Sequence, residues 1–285
     1  MERGASVYAL LTALSLAAAG QAEAAEKREE SESAKAQQKK WNEFYRTEAA
    51  GYAIFLNGDR QKVLKMQPEP VLLWSNPVRV GETNGSVFVW TYEGRAEAVG
   101  TVFSHVSLQD PEKRYVAHSF HSLSLVPLTA ERDETRSWSI DVPGIQPEEI
   151  PRAPVPAKTA ALRLTQMRDL AREFSATTTL DGVDQELRLV PQPLYRYEGS
   201  SPEVVDGALF TFVTGTDPEL MLVIEARRIA GGPVWHFAAG RFTDLALTLR
   251  RKESVLWKFE PGIPVDRAKA PYISRRTELR NRVLP

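Results

Sequence analysis

The chain has 285 residues, 36 of them basic and 37 acidic, a formal net charge of −1 and no cysteine. This balance gives none of the clustered positive charge on which nucleic-acid binding draws, and the lack of thiols excludes disulfides, cysteine nucleophiles and lipid attachment through cysteine. No apolar stretch reaches the roughly 20 residues that a membrane-spanning helix needs, so no membrane span is expected.

Residues 1–24 read as an export signal. Arg3 precedes an apolar run from Ala5 to Ala19, and Ala22-Glu23-Ala24 has the small-x-small form of a cleavage site. Removing them takes away Glu2, Arg3 and Glu23 and leaves 35 basic against 35 acidic residues. The expected location is periplasmic or extracellular. Residues 25–40 hold no apolar residue larger than alanine and read as a charged linker.

From Trp41 the pattern turns helical, with Trp41, Phe44, Tyr45 and Ala49 recurring on one face. A strand follows at Tyr52–Leu56, then a turn at Asn57-Gly58. The next strand, 62–75, is bent at Pro68-Glu69-Pro70, because proline cannot donate to a ladder. Asn84-Gly85 opens a strand over 86–92, Glu93-Gly94-Arg95 turns it back into 96–105, and further strands are expected at 114–126 and 137–142. Five prolines between Pro143 and Pro156 make 148–158 a stiff connector.

Beyond the connector the same order restarts. A helix places Ala160, Leu164, Met167, Ala171 and Phe174 on one face, and Arg163 mostly elsewhere. A strand bent at Pro191-Gln192-Pro193 follows, then one opened by Asp206-Gly207, an apolar one at Leu220–Ile224, a long one from Val234, and one at 255–259. Leu64 matches Leu187, Pro68 Pro191, Pro70 Pro193, Gly85 Gly207, Phe88 Phe210 and Glu97 Glu219. Farther along, Phe120 is matched with Phe242, Leu123 with Leu245, Leu125 with Leu247, Trp138 with Trp257, and Pro143-Gly144-Ile145 with Pro261-Gly262-Ile263. The expected fold is α+β, a tandem duplication with repeats at 41–147 and 159–264 and a solvated basic tail at 265–285. Each repeat is one N-terminal helix followed by a meander of about six antiparallel strands.

Chemistry is sparse. His118 and His121 stand three apart on a strand, where alternation sends them to opposite faces, so no metal site is expected. Glu225 and Arg227 share a strand face and are the first candidates for a polar binding site, with Trp235 and His105 added as binding residues. The aligned Phe103 and His105 are no ion pair, so a site at Glu225 and Arg227 would belong to the second repeat alone. The strand aromatics, including Trp74, Trp90, Tyr115 and Tyr197, are expected in the core, although an exposed row of them would suit sugar rings or peptides. No G-x-S-x-G, H-E-x-x-H, P-loop or G-x-G-x-x-G is present, no catalytic residue stands out, and no cofactor is expected.

The fragments WSNPVRVGETNGSVFVWTYEGRAEAVG, HSFHSLS, RLTQMRDLAREFSA, LRLVPQPLYRY and DGALFTFVTGTDPELMLVIEARR resemble a family of exported bacterial proteins of unknown function. That resemblance implies export and carries no activity. The expected function is a non-enzymatic binding or scaffold module of the cell envelope. It would hold a protein or small-molecule ligand where the repeats meet. The alternative is a hydrolase acting on envelope polymers through unidentified acid and base residues.

Overall fold

Alternating burial writes most of this chain as antiparallel sheet. In β3 (Leu72–Asn76), Trp74 and Asn76 are buried while Leu73 and Ser75 are exposed, and β8 (Trp138–Ile140) follows the same rule. The computed structural model describes residues 32–76, 83–133, 136–199, 201–262 and 269–279. Residues 1–24, read as an export signal, lie outside the described residues. Among them, no helix is long and apolar enough to cross a membrane.

Among the described residues helix α1 occupies 32–50 and so covers part of the segment read as a linker. The strands of the first half are β1 (Ala53–Leu56), β2 (Lys65–Met66), β3, β4 (Thr83–Tyr92), β5 (Arg95–Val106), β6 (Arg114–Ser122), β7 (Leu128–Glu131) and β8. β9 (Glu148–Glu149) lies in the connector, followed by α2 (Ala160–Arg172). Then come β10 (Phe174–Leu180), β11 (Val183–Leu189), β12 (Tyr195–Glu198), β13 (Val204–Thr214) and β14 (Asp217–Ile229). The chain ends with β15 (Gly232–Arg241), β16 (Ala246–Arg251), β17 (Ser254–Phe259) and β18 (Tyr272–Glu278). An α+β class fits this inventory.

Tyr45–Arg282 form one compact unit, and the helical residues 32–44 belong to another. Three sheets lie within the larger unit. A nine-stranded sheet runs β17-β16-β10-β11-β13-β14-β15-β9, with β12 also on β13. A six-stranded sheet runs β18-β6-β5-β4-β2, with β3 also on β4, and a small sheet runs β1-β7-β8. One isolated bridge, Phe55 to Val63, joins β1 to the approach of β2.

The two large sheets stack face to face. On β14, Leu220, Leu222, Ile224 and Ala226 join a core with Met167, Leu170 and Ala171 of α2. Met221 and Val223, on the opposite face, share a second core with Val87, Val89 and Val99 of the six-stranded sheet and with Leu123 just after β6. A strand covered on both faces has no side to leave polar, which is why Leu220–Ile224 is a continuous apolar run. The outer face of the six-stranded sheet is covered by Tyr45, which hydrogen-bonds Asn84 and Ser104, and by Tyr52, whose ring lies 4.5 Å from that of Phe120.

Three expectations are corrected here. Arg163 is buried on α2 because Asp206, 0 % exposed, draws it in: the Arg163 Nε donates to Asp206 at 2.7 Å and Arg196 at 2.8 Å. A buried carboxylate is tolerable only with such partners. The basic tail is not all solvated, since β18 pairs with β6 from Tyr272↔His121 to Glu278↔Tyr115 and satisfies an edge that would otherwise stand open. The connector, read as a stiff spacer, also supplies a strand: β9 pairs with β15 through Glu148 and Glu149, and Ile150 next to it is buried.

Candidate ligand-binding cleft

At one edge of the stacked sheets the apolar core gives way to a cleft of about 360 Å³. Alternation along β5 points Thr101, Phe103 and His105 toward it, and Trp74 of β3 crosses the backbone at Gly85 to reach it. A Cβ at Gly85 would sit 2.4 Å from Phe103 Cβ and 2.9 Å from the Trp74 ring, so only glycine admits this crossing. The rings then run in a row. Trp74 lies 5.5 Å from Phe103, Phe103 6.2 Å from His105, and His105 stacks on its cross-strand neighbour Tyr115 at 5.5 Å. The Arg276 guanidinium, carried in by β18, ends the row 5.7 Å from the Tyr115 ring. Asp217, Pro218 and Phe242 from the nine-stranded sheet form the opposing wall.

The polar groups of this cleft are unequally satisfied. Trp74 Nε1 donates to Thr101 Oγ1 at 3.1 Å, and Asp217 accepts from Asn76 Nδ2 at 3.4 Å. His105 Nδ1, by contrast, is buried with no hydrogen-bond partner. Burial first, then the positive charges of Arg276 and Arg114, push the His105 pKa below its ordinary value, so the ring is neutral at neutral pH. Arg276 makes no salt bridge with any carboxylate among the described residues.

The other candidate residues fall elsewhere. Glu225 and Arg227 do meet, Arg227 Nη1 donating to Glu225 Oε2 at 2.7 Å. They belong to a network rather than a cleft wall. Glu225 is 1 % exposed, and its Oε1 accepts from Tyr197 Oη at 2.6 Å and from Arg95 Nε at 2.7 Å. Arg95 Nη1 also donates to Glu97 Oε1 and to the Leu123 carbonyl, both at 3.0 Å. Burial works against ionising Glu225, but Arg95, Tyr197 and Arg227 outweigh it and hold the carboxyl below its usual value. For Glu97 burial prevails over Arg95 and the pKa is raised. Trp235 faces the α2 side of the nine-stranded sheet, in the core with Met167 and Leu170. Of the four candidates, only His105 lines the cleft.

His118 and His121 take opposite faces of β6. His118 meets Tyr52 Oη at 3.0 Å and Glu48 at 3.3 Å, whereas His121 Nδ1 accepts from the Arg241 amide at 3.2 Å. Among the described residues, no group of three His, Asp or Glu side chains is placed to hold a metal ion. Sequence reasoning missed Phe103 and Arg276 as wall residues, and placed Tyr115 in the core with an exposed aromatic row only as the alternative. For Arg276 a signal was present: Tyr272-Ile273-Ser274-Arg275-Arg276-Thr277 mixes aromatic and β-branched residues as strands do.

The chain matches no protein-family model, no curated protein and no solved structure.

Proposed function

We propose that this protein is a non-enzymatic binding module, exported to the cell envelope, that holds a small ligand in the cleft between its stacked sheets. The observation that carries the proposal is His105 Nδ1, a buried polar atom without a partner in a cleft lined in part by the rings of Trp74, Phe103, Tyr115 and Phe242. A buried nitrogen left unmatched costs free energy, so a group from a ligand or solvent is its natural complement.

The reading rests further on a tandem duplication. In its support, β8-β7-β1 with β2-β4-β5-β6 and β17-β16-β10 with β11-β13-β14-β15 have the same order of pairing. Each long hairpin has a register shift at matched residues, between Trp90 and Thr91 and between Phe212 and Val213, and β13–β14 has a further one between Val204 and Asp206. Trp74 pairs with Gly85 as Tyr197 pairs with Gly207. The hydrogen bonds also favour a revised alignment beyond Glu97 and Glu219. Their carbonyls accept from the amides of Leu123 and Phe242, which pairs Leu123 with Phe242, three residues from the match made by sequence.

On this reading the cleft and the Glu225 network are corresponding ends of one junction. Trp74 corresponds to Tyr197, Phe103 to Glu225, His105 to Arg227, and Asp217 to Arg95. Ions close one end. At the other, Phe103 stands where the carboxylate would be, the network cannot form, and the cleft stays open.

The test is a ligand-observed NMR screen of the mature protein against small molecules, repeated on Ser107→Trp, which fills the rim of the cleft. Compounds that bind wild type and not the variant are expected. If every binder is retained by the variant, the cleft is not the site.

A further inference from the structure

We infer that the ligand of this cleft is a flat organic anion, its ring laid along the row from Trp74 to Tyr115 and its carboxylate or phosphate held between Arg276 and His105. The inference rests on the cleft being the binding site and adds the class of ligand. Three observations converge on it. The wall is a continuous run of rings spaced 5.5 to 6.2 Å apart, a surface that rewards planar partners over branched aliphatic ones. Among the described residues that line the cleft Arg276 is the only cation, and it has no carboxylate partner among the described residues. A guanidinium presents paired donors matched to a planar anion, and a partly enclosed cleft strengthens that pairing. Beside it lies the unpartnered His105 Nδ1, and a neutral imidazole adds a hydrogen bond without a competing charge.

The carboxylate in the cleft, Asp217, stands on the opposite wall and accepts from Asn76. The two ends therefore differ in sign, and an anion-bearing ring has one favourable orientation. Because Arg276 comes from β18, the anion end exists only when the chain's last strand is in place.

The probes are 2-naphthoate and its uncharged analogue 2-naphthamide, titrated into the mature protein by calorimetry and by the fluorescence of the cleft tryptophan, Trp74. Naphthoate is expected to bind at least about tenfold more tightly than naphthamide, the scale of one charge-assisted hydrogen bond. Arg276→Gln should weaken naphthoate about tenfold and leave naphthamide unchanged, and Arg276→Lys should recover part of the loss. Arg276 is exposed, so these variants leave the core intact. Equal affinities for the two probes, both abolished by Ser107→Trp, would overturn the anion assignment while keeping the cleft. Binding of neither probe, where the NMR screen yields other ligands, also overturns the assignment alone. Binding of both that ignores Ser107→Trp overturns the assignment and the cleft together.

Discussion

Arg95 touches more of the junction than any neighbour in its network: Glu225, Glu97 and the Leu123 carbonyl all accept from it, while its own side chain is 4 % exposed. Removing a buried cation strands the carboxylates it serves, so Arg95→Ala is expected to cost about 3–5 kcal/mol in urea denaturation. Replacing the pair together, as Arg95→Met with Glu225→Leu, should recover much of that loss, because no buried charge is then left alone. An unchanged midpoint in Arg95→Ala would sink this account. Sequence reading paired Glu225 with Arg227 because a spacing of two puts both on one strand face. It had no access to Arg95, 130 residues away in the chain. Matched residues also hide different physics. A Cβ at Gly144 would meet the Ser122 carbonyl oxygen at 2.2 Å, whereas Gly262 has open space but a φ of +83°. Two glycines aligned by motif are thus required for unrelated reasons, one for proximity and one for backbone conformation.

Helix α2 was legible because an apolar stripe at helical spacing survives in the sequence, and Thr159 caps it through the amide of Leu162. β7 was not, because Pro127 just before it and a run of only four residues resemble a loop. β18 was masked by its own arginines, Arg275 and Arg276, although Tyr272 on the same strand is buried. Such a strand can be basic and still ordered, since its ladder rather than its side chains fixes it. Truncation before Tyr272 therefore exposes the β6 edge. The shortened protein is expected to self-associate in light scattering at concentrations where the full chain does not, through edge pairing. If it stays as monodisperse as the full chain, the edge-protecting role of β18 is wrong.

The core between the two large sheets is built from both halves of the large unit. Val87, Val89 and Val99 are buried only because Leu209, Met221 and Val223 lie opposite them. Residues 41–147 expressed alone are expected to lack native near-ultraviolet circular dichroism, and residues 25–285 should unfold in one transition by both circular dichroism and fluorescence. A folded, monomeric first half would contradict this. The expectation of two repeats did not say how the halves meet, because a strand buried on both faces looks the same whatever covers it.

The crossing of the two chain ends has a consequence for how the molecule comes into being. The segment after the first half closes the second sheet as β9, and the segment after the second half closes the first sheet as β18. A ribosome or a secretion channel delivers the chain N-terminus first. The six-stranded sheet must therefore wait, with β6 unpaired and the mouth of the cleft lacking Arg276, until β18 has been released. Every newborn molecule passes through this unfinished state, and both its vulnerability to neighbours and its first competence to bind are timed by the final strand.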